Sequence, residues 1–233
     1  MNDRSASRRP SRTPRHTPAP EPRLPPELAA EGPRRKILLA ALQLFARSGF
    51  HGASIRDIVQ QVELQASAVY AHFASKEHVL AELARAGHET HLSALQAALL
   101  ECGADPILQL RAYVRANALF HLEYPHIAKV VNAEMHALSP ELVAPALAVR
   151  GQSAQLLIQI LERGARSGRF ALADSGDDAA AFARGLYVTA GALGAMALRL
   201  PYWFPTDGSF DPGELADRQA DLALRLVGAE GAR

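Results

Sequence analysis

The chain has 233 residues, 48% of them hydrophobic and 21% charged, with one tryptophan, one cysteine and a formal net charge of +1. That describes a soluble globular protein of one large or two modest domains, long enough to bury a core. The lone Cys102 excludes an internal disulfide framework and any paired-cysteine zinc spacing; with no apolar leader at the N-terminus, a reducing cytoplasm is expected.

The charge is unevenly placed. Residues 1–36 carry nine Lys/Arg against four acids, whereas residues 77–233 carry 13 against 18. A basic leading end on an acidic body suits a chain that touches a polyanion at one end, and equally suits a solvated basic tail. Residues 1–33 also hold eight of the 15 prolines and almost no large apolar side chains, so a disordered basic Pro/Arg-rich tail is expected there.

After Gly32-Pro33 the apolar pattern is helical throughout, with no convincing alternating strand. Ile37, Ala41, Leu44 and Phe45 share one face of a first helix that ends at Ser48-Gly49, where glycine supplies the cap. Ser54-Ile55-Arg56-Asp57 fits a capping box, and the second helix turns Ile55, Ile58, Val59 and Val62 inward. A third helix starts near Ala66 with Ala66, Val69, Tyr70 and Phe73 on one side. Ser75 caps a fourth, which runs toward Leu99. Further helices fall near 106–123, 125–137, 140–167, 176–200 and 212–228, separated by Asp105-Pro106, Tyr124-Pro125, Ser139-Pro140, Ser167-Gly168 and the Pro201–Pro212 loop. The expected fold is all-α with about nine helices. The stretch "GLYVTAGALGAMALRL", 185–200, is apolar nearly all round, yet only 14 uncharged residues separate Arg184 from Arg199. It is therefore expected to be a helix covered on every side, by its own domain and by a partner subunit, or else a central core helix, rather than a membrane span.

The second and third segments are each too short to be stable alone. Joined by a tight turn and completed by the first helix and the start of the fourth, they make a helix-turn-helix. Ser67, Ala68, Ala71 and His72 face outward on the third helix, and such small side chains let its backbone sit deep in a major groove.

Residues 37–83 resemble the tetracycline-repressor (TetR) family of transcriptional regulators. The matching elements are Leu44-Phe45-Ala46, Gly49-Phe50, Ser54-Ile55-Arg56-Asp57-Ile58, Val69-Tyr70-x-His72-Phe73 and Ser75-Lys76-Glu77. Two positions depart from the family's habit: Glu63 stands where glycine is usual, and Gln65 where serine or threonine would cap the third helix. A left-handed backbone at Glu63 would cost about 1–2 kcal/mol, and the missing cap about 1 kcal/mol.

The resemblance implies a DNA-binding domain at 34–80, an effector-binding and dimerisation domain at 81–228, and no enzymatic role. It carries specific contacts. Gln65, Ala66, Ser67 and Ala68 would meet base edges; Arg56 would reach a guanine or a phosphate; Tyr70, His72 and Lys76 would bind phosphates. Packing for Tyr70, solvation for His72 and a local pairing with Asp57 or Gln60 for Arg56 are the alternatives. The partners implied are double-stranded operator DNA, a second copy bound through 176–200 and 212–228, and a small-molecule effector, apolar or acyl-coenzyme-A-like. Interior candidates for the effector pocket are His88, His91, Tyr113, Phe120, His121, Met135 and Tyr187. "HETH" at 88–91 invites a metal-responsive reading, but a protease-type site needs His-Glu-x-x-His, so no metal or other cofactor is expected. No nucleophile elbow or phosphate-binding glycine loop is present. A helical binding module that has lost operator binding is the other reading.

Overall fold

The computed structural model describes residues 21–26, 28, 31–172, 178–205 and 207–229. Among these are ten α-helices, one 3-10 turn and no strand. They are α1 Pro33–Gly52, α2 Ile55–Val62, α3 Ala66–His72, α4 Lys76–Leu99, α5 Pro106–Glu123, α6 Pro125–Glu134, α7 Pro140–Arg166, α8 Ala179–Leu198, α9 Leu200–Trp203 and α10 Pro212–Leu226, with the 3-10 turn Met135–Ala137 extending α6. Only the four-residue α9 is additional to the elements expected from sequence.

Proline sets several of the boundaries. Pro106, Pro125, Pro140 and Pro212 stand in the first turns of α5, α6, α7 and α10, where the missing N–H would have had no helical partner. Asp105, Ser139 and Asp211 precede three of them and accept from backbone amides of the first turn. At the end of α1, Gly49 takes φ 73°, breaking the helical geometry before one further turn.

The head is built on Ile37, Leu38, Leu42 and Phe45 of α1, which bury Ile58 of α2, Val69 of α3 and Val79, Leu80 and Leu83 of α4. Each such side chain contributes roughly 1.5–3 kcal/mol, which holds α2 and α3 in place despite their length. This core does not stop at the head. It runs on through Phe120 of α5 and Ile127, Val130 and Val131 of α6, with α1 packed along α6. A second core joins α4, α5, α7, α8 and α10 around Leu95, Leu110, Leu157, Ile160 and Leu224. Within it α10 lies chiefly along α5, and α7 along α4.

One expectation needs correction. The leading segment is not wholly a loose tail: Leu24 and Leu28 are 5% and 3% exposed and belong to the head's core. Arg35 Nη1 also donates to the Leu28 carbonyl at 3.0 Å. Two leucines among prolines suffice to anchor residues 21–26 and 28, while residues 1–20 lie outside the described residues. α8 packs one side on its own domain and leaves the other open in the single chain. Leu186, Leu193 and Ala197 are buried, but Tyr187 is 76% and Val188 68% exposed. By length and composition Ala179–Trp203 would pass as a membrane span; Arg184 and Arg199 fall within it.

Candidate functional site

α3 is held by two anchors, Val69 and Phe73, one turn apart and buried. Gln65, Ala66, Ser67, Tyr70, Ala71 and His72 are exposed, and Ala68 is half-buried. The expectation that Ala66 and Tyr70 face inward with the anchors is therefore wrong. At 100° per residue Tyr70 lies well off the Val69–Phe73 line, and Ala66 sits at the helix start. The turn before α3 keeps the left-handed backbone: Glu63 has φ 55° and ψ 33°, the one non-glycine residue with positive φ among the described residues. Gln65 occupies the N-cap of α3 without a side-chain capping bond.

The capping box of α2 is formed as expected. The Asp57 amide donates to Ser54 Oγ at 3.2 Å, and the Ser54 amide donates to Asp57 Oδ2 at 2.9 Å. The Ser54 hydroxyl also donates to Asp57 Oδ2 at 2.7 Å; this bond first, then that from the Ser54 amide, helped by the charges of Arg56 and Arg47, hold the Asp57 carboxyl below its ordinary range. Arg56 itself is exposed.

Ser75 differs from its expected part, and Lys76 has partners within the head. Ser75 stands at the N-cap of α4, but its hydroxyl meets His78 Nδ1 at 3.1 Å instead of capping an amide. Lys76 Nζ donates to the carbonyls of Phe50 and Ala53, both at 2.9 Å, and lies 4.3 Å from the centre of the Phe50 ring. Two of its three protons thus tie α4 to the end of α1.

A residue that sequence reasoning missed fastens the other end of α3. Arg34 Nε donates to Glu82 Oε1 at 3.0 Å, Nη2 pairs with Glu82 Oε2, and Nη1 donates to the His72 carbonyl at 3.2 Å. Its guanidinium also covers the Phe73 ring at 4.5 Å. One side chain from α1 therefore locks the last turn of α3 to α4.

In the body, α4, α5, α6, α7 and α8 line a pocket of about 450 Å³ that is open on the side of the exposed α8 residues Tyr187 and Val188. His88, His91, Tyr113, Phe120, His121 and Tyr187 line it, as expected. Met135 does not: it stands in the 3-10 turn, which packs on α4 and α6, and is buried in the core shared with the head. Asn117, Arg150 and Ser153 line the cavity without having been foreseen. Several of the polar groups satisfy one another. His91 Nε2 and Asn117 Oδ1 are 3.0 Å apart, His121 Nδ1 donates to the Asn117 carbonyl at 2.8 Å, and the Tyr113 hydroxyl donates to the Ser153 carbonyl at 3.1 Å.

Burial makes these groups neutral. It pushes His88 from 6.5 to about 4, reinforced by the charge of Arg150 and by His121. His91 also falls to about 4, through burial and then His121, against the opposing bond to Asn117. His121 is lowered by burial, and the Tyr113 hydroxyl is pushed up to about 12. Among the described residues no three His, Cys, Asp or Glu side chains converge as metal ligands.

Comparison with known proteins bears on both halves. Residues 37–83 match the family described as "Bacterial regulatory proteins, tetR family", and residues 103–227 match "Tetracyclin repressor-like, C-terminal domain". A tetR-family regulatory protein from Rhodococcus RHA1 is 30% identical, with a TM-score of 0.73 over 84% of this chain and 96% of that one. PfmR, a TetR-family regulator from Thermus thermophilus, is also 30% identical, with a TM-score of 0.69 over 81% and 97% of the two chains. AibR bound to isovaleryl coenzyme A and operator DNA shares the fold at 21% identity and a TM-score of 0.66, over 81% of this chain and 96% of AibR. The transcriptional regulator RutR of Escherichia coli K12 is 26% identical over 115 residues, 49% of this chain; the match spans about half of RutR's own length, 53%. These relatives are regulators and not enzymes. The exposed third helix, the arginine that fastens it and the two matching regions lead to one conclusion: the chain belongs to the TetR family of bacterial transcriptional regulators, with a DNA-binding helix-turn-helix at its N-terminus.

Proposed function

We propose that this regulator is a cytoplasmic homodimeric repressor, binding a near-palindromic operator and released from it by a small molecule in the cavity. The observation that carries this reading is shared walls. α4 supplies Gly87, His88 and His91 to the cavity, and α6 supplies Ile127, Ala128 and Val131; both helices also pack on α1 of the head. A ligand that favours a different spacing of α4 and α6 would move the head with them, provided it prefers the state that does not bind DNA. AibR carries a coenzyme A thioester and operator DNA, which supports a small-molecule trigger here.

The second copy would pack on the open face of α8 and on α10. Tyr187, Val188, Gly191, Ala192 and Ala195 recur at helical spacing and are exposed, as are Leu222 and Leu226 of α10. A Cβ built on Gly191 or Gly194 would meet nothing, so another helix can approach closely. Two copies of α3 set about 34–36 Å apart would read successive major grooves. Gln65, Ala66, Ser67 and Ala68 would then reach base edges, Tyr70 and His72 the phosphates, and Arg56 a guanine or a phosphate. Lys76 would offer its remaining proton to a phosphate while holding α4 to α1.

An electrophoretic shift with duplex DNA from upstream of the chain's own gene tests this. Expected is a complex of two chains per site at low salt, weakened alike on every sequence by Tyr70→Ala. A purified chain that shifts no duplex would leave the alternative of a helical binding module.

A further inference from the structure

The cavity's polar groups divide into two sets. Asn117, His91, His121 and Tyr113 are engaged with one another or with backbone. His88 Nε2 and the Ser153 hydroxyl are buried with no hydrogen-bond partner, although Ser153 is only 4% exposed. Leaving such groups unpaired is unfavourable, so a bound molecule that satisfies them is favoured.

The unpaired groups lie together. Ser153 sits one turn beyond Arg150 on α7, and Arg150 is close enough to His88 for its charge to act on that ring. Arg150 is the one formally charged side chain in the lining, which contains no aspartate or glutamate, and no ion pair or hydrogen bond engages it among the described residues. An exposed guanidinium, a buried hydroxyl and a buried imidazole nitrogen thus face the same pocket, beside the engaged Asn117, His91, His121 and Tyr113 and the exposed Asn132. The rest of the wall there is Phe120, Ile127, Val131, Leu157, Val188 and Leu198.

Resting on the effector reading of this cavity, we infer that its ligand is an apolar organic acid bound as the free carboxylate, with Arg150, Ser153 and His88 around the carboxylate and the hydrocarbon body against α6 and α8. Arginine suits this part because its fork matches a carboxylate in two parallel bonds and stays charged at any physiological pH. Neutral His88 carries its proton on Nε2 when the ligand is bound and donates it to the same head. A cavity of about 450 Å³ holds a medium-chain or single-ring acid.

The test is calorimetric titration of the full chain, without DNA, with decanoate and 4-phenylbutanoate, with their methyl esters, with decylamine and with decanoyl coenzyme A. Expected is binding of the acids, at least tenfold weaker binding of the esters and none of the amine. Arg150→Gln should remove the preference of acid over ester while ester binding persists, which also shows that the variant is folded; Arg150→Lys should keep part of it. Equal binding of acid and ester to the unaltered chain, an unchanged preference in Arg150→Gln, tighter binding of the thioester than of the acid, or no binding of either acid overturns the inference. Because no DNA is present, failure of operator binding and failure of carboxylate recognition are read separately.

Discussion

Glu63 sits in a backbone conformation that suits glycine, at the turn that aims the reading helix. Glu63→Gly should relieve the strain and raise stability by about 1 kcal/mol, visible as a higher denaturant midpoint with an unchanged slope. A lower midpoint would mean that the glutamate side chain offsets its own strain. The cavity histidines give a second expectation at this scale. His88 and His91 bind their protons at about 4 in the folded chain and near 6.5 when it unfolds. Between those values the unfolded chain holds more protons, so stability is complete above pH 6.5 and falls as the pH drops toward 4. Each site is worth about 3 kcal/mol over that range, at 1.36 kcal/mol per pKa unit. His88→Gln should flatten the fall in unfolding free energy between pH 6.5 and 4.5; an unaltered profile would show that His88 stays hydrated.

At the scale of the elements, the segment around Leu24 and Leu28 works as a strap on the head. Pro26 lines a groove together with α4 and α5 residues, Phe120 among them, and Phe120 also lines the proposed effector pocket. Replacing both leucines by alanine should free the strap while the helices remain folded, so trypsin should cut after Arg23 at least several-fold faster than in the unaltered chain. Equal cutting rates would show that the prolines alone hold it. This strap was not legible in the sequence, where two leucines in a Pro/Arg-rich stretch have no periodicity to mark them. The helices were legible for the opposite reason. Pro106, Pro125, Pro140 and Pro212 act at their own positions, and Ser54 reaches only as far as Asp57. The inward placing of Tyr70 failed because, in a helix of seven residues, the width of the surface it packs on decides how much of its circumference is covered.

At the scale of the whole molecule, the open face of α8 has the most direct consequence. Val188→Asp should put two like charges into the expected contact between copies and yield a monomer by sedimentation, with operator affinity falling at least tenfold because one reading helix must then bind alone. A dimer that survives the charge would place the contact elsewhere. By itself the sequence determined the all-helical class, the helix boundaries, the helix-turn-helix and most of the cavity's aromatic and histidine lining, since periodicity, caps and prolines act over a few residues. Only the tertiary structure decided that Arg34 grips Glu82 and the end of α3, that Lys76 is held by the close of α1, and that Arg150 shares one pocket lining with the buried, unpaired Ser153 hydroxyl and His88 Nε2. Apart from Arg150 and Ser153, one turn apart on α7, those partners lie tens of residues apart along the chain, and nothing local encodes which helix faces bring them together.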